Sequence, residues 1–204
     1  MTARIGILVY DGFDIVDAGG PYEVFLTASR LAERDGDAPT FSVELVSPGG
    51  HDVVAYGGMT LTALGDADES RDYDVVVIPG TIDVDAALGE EVIGASVRTL
   101  ADEAELTTSV CTGAFLLAKQ GLIDDLPATT HWEDVDALRE AGVAGAVDGM
   151  RWVDAGRIIT SGGLTSGMHM ALHIVSLTLG EPMALRTARQ LEMDWSPDPA
   201  RTAR

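Results

Sequence analysis

Cys111 is the chain's single cysteine and lies in T-T-S-V-C-T-G-A-F-L-L-A, where a β-branched strand gives way to a helix with no loop between them. That arrangement is a nucleophile elbow: a tight, strained turn presents the side chain at the edge of a sheet. Gly113, two residues on, keeps the turn free of a Cβ clash, although Ser109 holds the place of the first elbow glycine. A thiol at a helix N-terminus meets the positive end of the helix dipole, which favours thiolate and predicts a pKa below the usual ~8.5. The competing reading is a buried, inert cysteine.

Asp17, in D-G-F-D-I-V-D-A-G-G-P-Y-E-V-F, precedes a Gly-Gly-Pro turn into a helix. It is either a turn or N-cap residue or, aimed at the thiol in a desolvated site, an acid of raised pKa able to donate a proton. Asp11 and Asp14 read as solvated loop carboxylates. No histidine directly follows Cys111, so a Cys–His dyad of adjacent residues is absent, while His131 in A-T-T-H-W starts a helix and can line a pocket or a subunit contact. His169 and His173 have the i, i+4 spacing of a metal site, but no acid completes it as in H-E-x-x-H. They read as helix histidines with local partners, and no metal is expected. The segment S-G-G-L-T-S-G (161–167) resembles an anion-cradling loop at a helix start. It lacks the lysine of a P-loop, and Thr165 or Ser166 is explained as an N-cap. No G-x-G-x-x-G follows the first strand, so no dinucleotide site is expected.

The elements that must position these residues alternate between strands and helices. Strands are predicted over 4–10, 41–47, 73–78 and 107–110, a short one over 128–130, and hairpins over 53–64 around Gly57-Gly58 and over 152–160 around Ala155-Gly156. Helices are predicted over 21–34, with Pro21 in the first turn, and over 90–104, 112–120, 132–141, 166–179 and 183–193. The alternation predicts an α/β protein: a three-layer α/β/α sandwich with a mostly parallel, flavodoxin-like sheet. In such sheets ligands bind beyond the carboxyl ends of the strands, where Asp17, Gly80 and Cys111 would converge. One domain over 1–195 and a short tail over 196–204 are expected.

Composition narrows the function classes. Of 204 residues, 46% are hydrophobic, enough for one core burying roughly 70% of the unfolded surface. No apolar run approaches the ~18 residues of a membrane span, and no signal-peptide cleavage pattern follows the first residues. A lone cysteine suits a reducing cytosol, and a cytoplasmic protein is expected. Acids outnumber bases 33 to 13, for a net charge of −20, and there is a single lysine. Such a surface repels phosphate backbones, so neither nucleic acid nor membrane is an expected partner. The acids are scattered over a folded body, which suits a salt-rich cytosol where screening removes self-repulsion.

The segments I-V-D-A-G-G-P-Y-E-V-F, D-V-V-V-I-P-G, T-S-V-C-T-G-A-F-L-L-A-K-Q-G-L, A-T-T-H-W and I-I-T-S-G-G-L-T-S-G resemble the ThiJ/PfpI superfamily, relatives of class I glutamine amidotransferases. They are most similar to the isonitrile hydratase branch and to the sensor domains of AraC-type regulators. The resemblance implies that Cys111 attacks the terminal isonitrile carbon to give a thioimidate, that Asp17 bonds the thiol and supplies the proton, and that Thr112 helps position the site. Water then releases an N-substituted formamide, with no metal or organic cofactor. It also implies a small-molecule substrate and a homodimer. The hydratases often carry I-P-G-G, whose successive N–H groups would steady developing negative charge; here the pair is Gly80-Thr81. The alternatives implied are a redox or electrophile sensor, and a freestanding ligand-binding domain without the regulators' DNA-binding part.

Overall fold

Ala3–Leu8 forms the central strand β1, and Ile5, Ile7 and Leu8 in it are fully buried, as befits a parallel strand covered on both faces. The computed structural model of the protein describes residues 2–62, 64–69 and 71–200. After β1 come α1 (Ile15–Arg34), β2 (Phe41–Ser47), the hairpin strands β3 (Val53–Val54) and β4 (Thr60–Leu61), and β5 (Gly65–Asp66). Next are β6 (Val75–Ile78), α2 (Val84–Gly89), α3 (Glu91–Glu103), β7 (Leu106–Val110) and α4 (Gly113–Lys119). The chain continues through α5 (Val135–Glu140), the hairpin β8 (Trp152–Asp154) and β9 (Ile158–Ser161), α6 (Thr165–Leu179) and α7 (Glu181–Gln190).

Seven strands form one sheet in the order β5-β2-β1-β6-β7-β9-β8, parallel throughout except where β8 returns antiparallel on β9. Register is set by runs such as Ile5–Val75 between β1 and β6 and Val76–Thr107 between β6 and β7. Helices α1, α6 and α7 pack together on one side, and α2, α3 and α4 on the other. The result is the three-layer sandwich the alternation predicts. A single core cluster runs through it, and each fully buried aliphatic side chain contributes roughly 1.5–3 kcal/mol. Among the described residues no helix is long and apolar enough to cross a membrane.

Three local expectations need correction. The first helix begins at Ile15, not Pro21, because the Asp14 side chain accepts from the Val16 N–H (3.0 Å) and caps it early. Gly19-Gly20-Pro21 is therefore helix, not a turn. Gly20 lies so close to α6 that a Cβ would come within 2.8 Å of Met168. Residues 128–130 make an isolated bridge, Ala128 to Ala146, and no strand, since the Thr129 N–H is taken by the Thr160 hydroxyl (2.8 Å). The helix expected from Trp132 starts at Val135, after a turn closed by Asp134 N–H to His131 O (2.9 Å).

Of the expected tail, residues 201–204 lie outside the described residues. Residues before them fold back: Trp195 is buried and donates to His169 O (3.0 Å), and Pro199 O accepts from the Arg151 N–H (2.7 Å).

Candidate active site

Cys111 occupies the junction between β7 and α4 with φ of +56°, a left-handed conformation that costs a non-glycine residue about 1–3 kcal/mol. Neighbours hold it there. Its N–H is shared between Ser161 O (3.1 Å) and Gly162 O (3.2 Å), and its carbonyl accepts from the Thr130 hydroxyl (2.8 Å). The strain is borne by the cysteine itself. Gly113 serves a different need, because a Cβ there would sit 2.3 Å from Ile78 O and push α4 off β6. The clash that the sequence reading expects glycine to avoid is thus with the end of β6.

Asp17 lies fully buried in the first turn of α1, and both its oxygens accept backbone N–H groups. Gly80 donates to Oδ2 (3.1 Å) and Leu164 to Oδ1 (3.0 Å). It caps nothing; Asp14 does that. Burial, and next the Asp14 carboxylate, raise its pKa to about 7 against the pull of those two donors and the Cys111 thiol. The sequence expectation of a raised acid beside the thiol matches this geometry.

The thiolate expectation fails. Burial first, then the Asp17 charge, push the Cys111 thiol up to about 12, with Asp134 and Asp14 adding to it. The Thr112 N–H bonding the sulfur pulls the other way and loses. A seven-residue helix cannot offset desolvation plus three carboxylates.

The N–H groups of Gly80 and Thr81, expected to steady developing charge, are both engaged inside the protein. Gly80 holds Asp17, and the Thr81 N–H donates to Thr112 Oγ1 (2.8 Å), whose hydroxyl donates back to Thr81 O (2.7 Å). These two residues and Thr112 form the site's frame, and no free oxyanion donor comes from residues 80 and 81.

His131 and the thiol meet at Gly163. A Cβ on that glycine would lie 2.5 Å from His131 Cδ2 and 3.2 Å from Cys111 Sγ, so only glycine lets both approach. His131 Nδ1 also lies 3.6 Å from the carboxylates of Glu133 and Asp134. The two histidines of α6 have different surroundings. His173 bonds Asp154 (2.8 Å) and stacks on Trp152, with ring centroids 5.1 Å apart. Contrary to expectation His169 has a buried Nδ1 without a partner among the described residues, and burial, then Arg151, lower its pKa to about 4. Among those residues no three His, Cys, Asp or Glu side chains converge as a metal-binding group.

Several site residues escaped the sequence. Leu164 belongs to the loop whose sequence resembles an anion cradle, yet its N–H serves the internal carboxylate of Asp17, and no side chain caps α6. Tyr10 is buried with its hydroxyl on Pro79 O (2.8 Å), and burial, then the charges of Asp17 and Cys111, raise its pKa. Only its place at the end of the first strand hinted at this. The contribution of Asp134 had no sequence signal.

This site has relatives. An isonitrile hydratase from Pseudomonas putida is 30% identical over 199 residues, covering 98% of this chain and 81% of that protein. The HTH-type transcriptional regulator GbdR of Pseudomonas aeruginosa is 26% identical over 181 residues, and this chain spans about half its length (48%). A ThiJ/PfpI family protein from Pseudomonas syringae superimposes with a TM-score of 0.81 at 26% identity, over 97% of this chain and 77% of that one. Drosophila melanogaster DJ-1beta shares the fold, with a TM-score of 0.73 at 19% identity, over 95% of this chain and 100% of that one. The DJ-1/PfpI family model matches residues 3–177, elbow and buried acid included, and the chain belongs to the DJ-1/PfpI family.

Proposed function

We propose that the chain is a cysteine-dependent hydratase of isonitriles or related small electrophiles. The observation that carries this reading is the buried Cys111–Asp17 pair, in which the acid is raised to about 7 and the thiol to about 12. Between those values the two groups hold one proton between them. An isonitrile carbon accepts both a nucleophile and a proton, so the pair is matched to it. Sγ bonds the terminal carbon while the thiol proton passes through the Asp17 carboxylate to that same carbon, giving the thioimidate R–N=CH–S–Cys111. Water then adds to the C=N bond, its oxygen to carbon and a proton to nitrogen. The C–S bond breaks with return of a proton to sulfur, releasing R–NH–CHO. No free thiolate accumulates in this sequence, and Asp17 acts first as base and then as acid.

Thr112 supports the sulfur through its N–H and the frame through its hydroxyl. The same reading carries a small-molecule substrate, no metal or organic cofactor, and a homodimer in the cytosol. Steady-state turnover of an aryl isonitrile in molar KCl, with formamide followed by absorbance, tests it. Turnover is lost in Cys111→Ala and strongly reduced in Asp17→Asn; turnover surviving Cys111→Ala overturns the reading.

A sensor that reacts with peroxide needs thiolate at rest, which burial and three carboxylates oppose. The 26% identity to GbdR favours a second reading, a non-catalytic ligand-binding domain. It predicts thermal stabilisation by a ligand that is unchanged when the sulfur is removed.

A further inference from the structure

Leu164 holds φ of 54° and ψ of −110°, a conformation that L side chains rarely adopt and glycine takes freely. It follows Gly162 and Gly163, so a third glycine would relax the loop. The position instead carries leucine, 42% exposed and so not drawn in by the core. Its service to Asp17 does not explain the side chain, since the bond at 3.0 Å comes from the backbone N–H. Leu164 thus combines a strained backbone, a backbone bond to the buried acid and an exposed apolar side chain.

Three more exposed apolar residues adjoin site residues in the chain: Val16 beside Asp17, Ile82 beside Thr81, and Trp132 beside His131. Two carboxylates besides Asp17 lie close enough to act on the thiol. Asp14 is tied to the site through its N–H on Gly80 O (2.8 Å), and the Asp134 carboxylate lies 3.6 Å from His131 Nδ1.

Resting on the reading that Cys111 attacks small electrophiles, we propose that Leu164 is a specificity-determining residue. Its exposed side chain receives the apolar substituent of an uncharged electrophile, while Asp14 and Asp134 disfavour an anionic one.

Alkylation of Cys111 tests this without requiring turnover. Rates with iodoacetamide, N-benzyl-iodoacetamide and iodoacetate, each normalised to free N-acetylcysteine, are measured for the wild type, Leu164→Gly and Leu164→Met. The wild type favours the benzyl reagent over the parent amide by about tenfold and reacts slowest with iodoacetate. Leu164→Gly brings the benzyl preference close to one, and Leu164→Met retains it. A benzyl preference unchanged by Leu164→Gly overturns the assignment. So does a change in molecular mass by light scattering in that variant, which would make this face an interface between copies. Loss of the preference in a protein that turns over no isonitrile upholds Leu164 while removing the hydratase reading.

Discussion

The Thr81 N–H and the Thr81 carbonyl are both bonded to one atom, Thr112 Oγ1, at 2.8 and 2.7 Å. One hydroxyl thus acts as acceptor and donor to the same peptide neighbourhood, tying the end of β6 to the elbow. The arrangement explains why threonine at 81, in place of a second glycine, leaves the elbow intact. It also removes residue 81 as a donor to substrate, so charge at the reacting carbon must be handled by the proton moving through Asp17.

Replacing Thr112 by valine keeps the shape and removes the hydroxyl, leaving a donor and an acceptor of buried Thr81 unpaired. At about 1–3 kcal/mol for each unmet group, the loss is roughly 2–6 kcal/mol. Thr112→Ser restores most of it. Urea unfolding of the three proteins measures this, and equal midpoints would show that the pair contributes nothing.

The pH dependence of catalysis follows from the one-proton state of the pair. Below about pH 7 Asp17 holds its own proton and cannot accept the thiol's, so kcat/KM falls as pH drops through that value. It is level on the alkaline side until the thiol itself ionises near 12. A pH–rate profile for aryl isonitrile hydration checks the limb, and residual activity in Asp17→Asn must lack it. A profile that instead rises on acidification would place the reacting proton elsewhere.

The same shift leaves a mark on stability. Asp17 is raised in the folded state, so the stability it carries is complete below about pH 4 and is lost as pH rises to about 7. Over that window the wild type loses up to roughly 4 kcal/mol relative to Asp17→Asn, at about 1.4 kcal/mol per unit. Above pH 7 the difference is flat. Chemical denaturation of both proteins from pH 4 to 8 measures it, and the other carboxylates cancel in the comparison. A constant difference across the window would mean that Asp17 is not raised.

Local signals carried much of this architecture. The strand from Phe41 to Ser47 was legible to the residue, because a largely alternating apolar pattern closed by Pro48-Gly49-Gly50 has one reading. Both hairpins were legible from their glycine turns. Cys111 was legible for the same reason, as the strand-to-helix switch is written in adjacent residues. The start of α1 was not, since Gly-Gly-Pro ordinarily breaks a helix and only the Asp14 cap and the close packing on Met168 overrule it. The bond from Leu164 to Asp17 joins residues 147 apart, and no pattern along the chain announces it. The thiol's acidity was misjudged because a helix start is visible in sequence, whereas burial and the approach of Asp134 are not.

Surface charge gives the last prediction. The arginines that pair with carboxylates among the described residues are Arg71, Arg139 and Arg186, against 33 acids in the chain. Most of the negative charge therefore repels itself in the folded state, and molar KCl shortens its reach to about 3 Å. If screening recovers on the order of 2 kcal/mol, Tm rises by about 4–8 °C between low salt and molar KCl at pH 7. Scanning calorimetry measures the rise. Repeating it near the pI of about 4.2, where net charge vanishes, separates screening from a general salting-out of apolar surface. The gain must shrink there; an equal gain at both pH values would assign it to hydrophobic strengthening by salt instead of to charge.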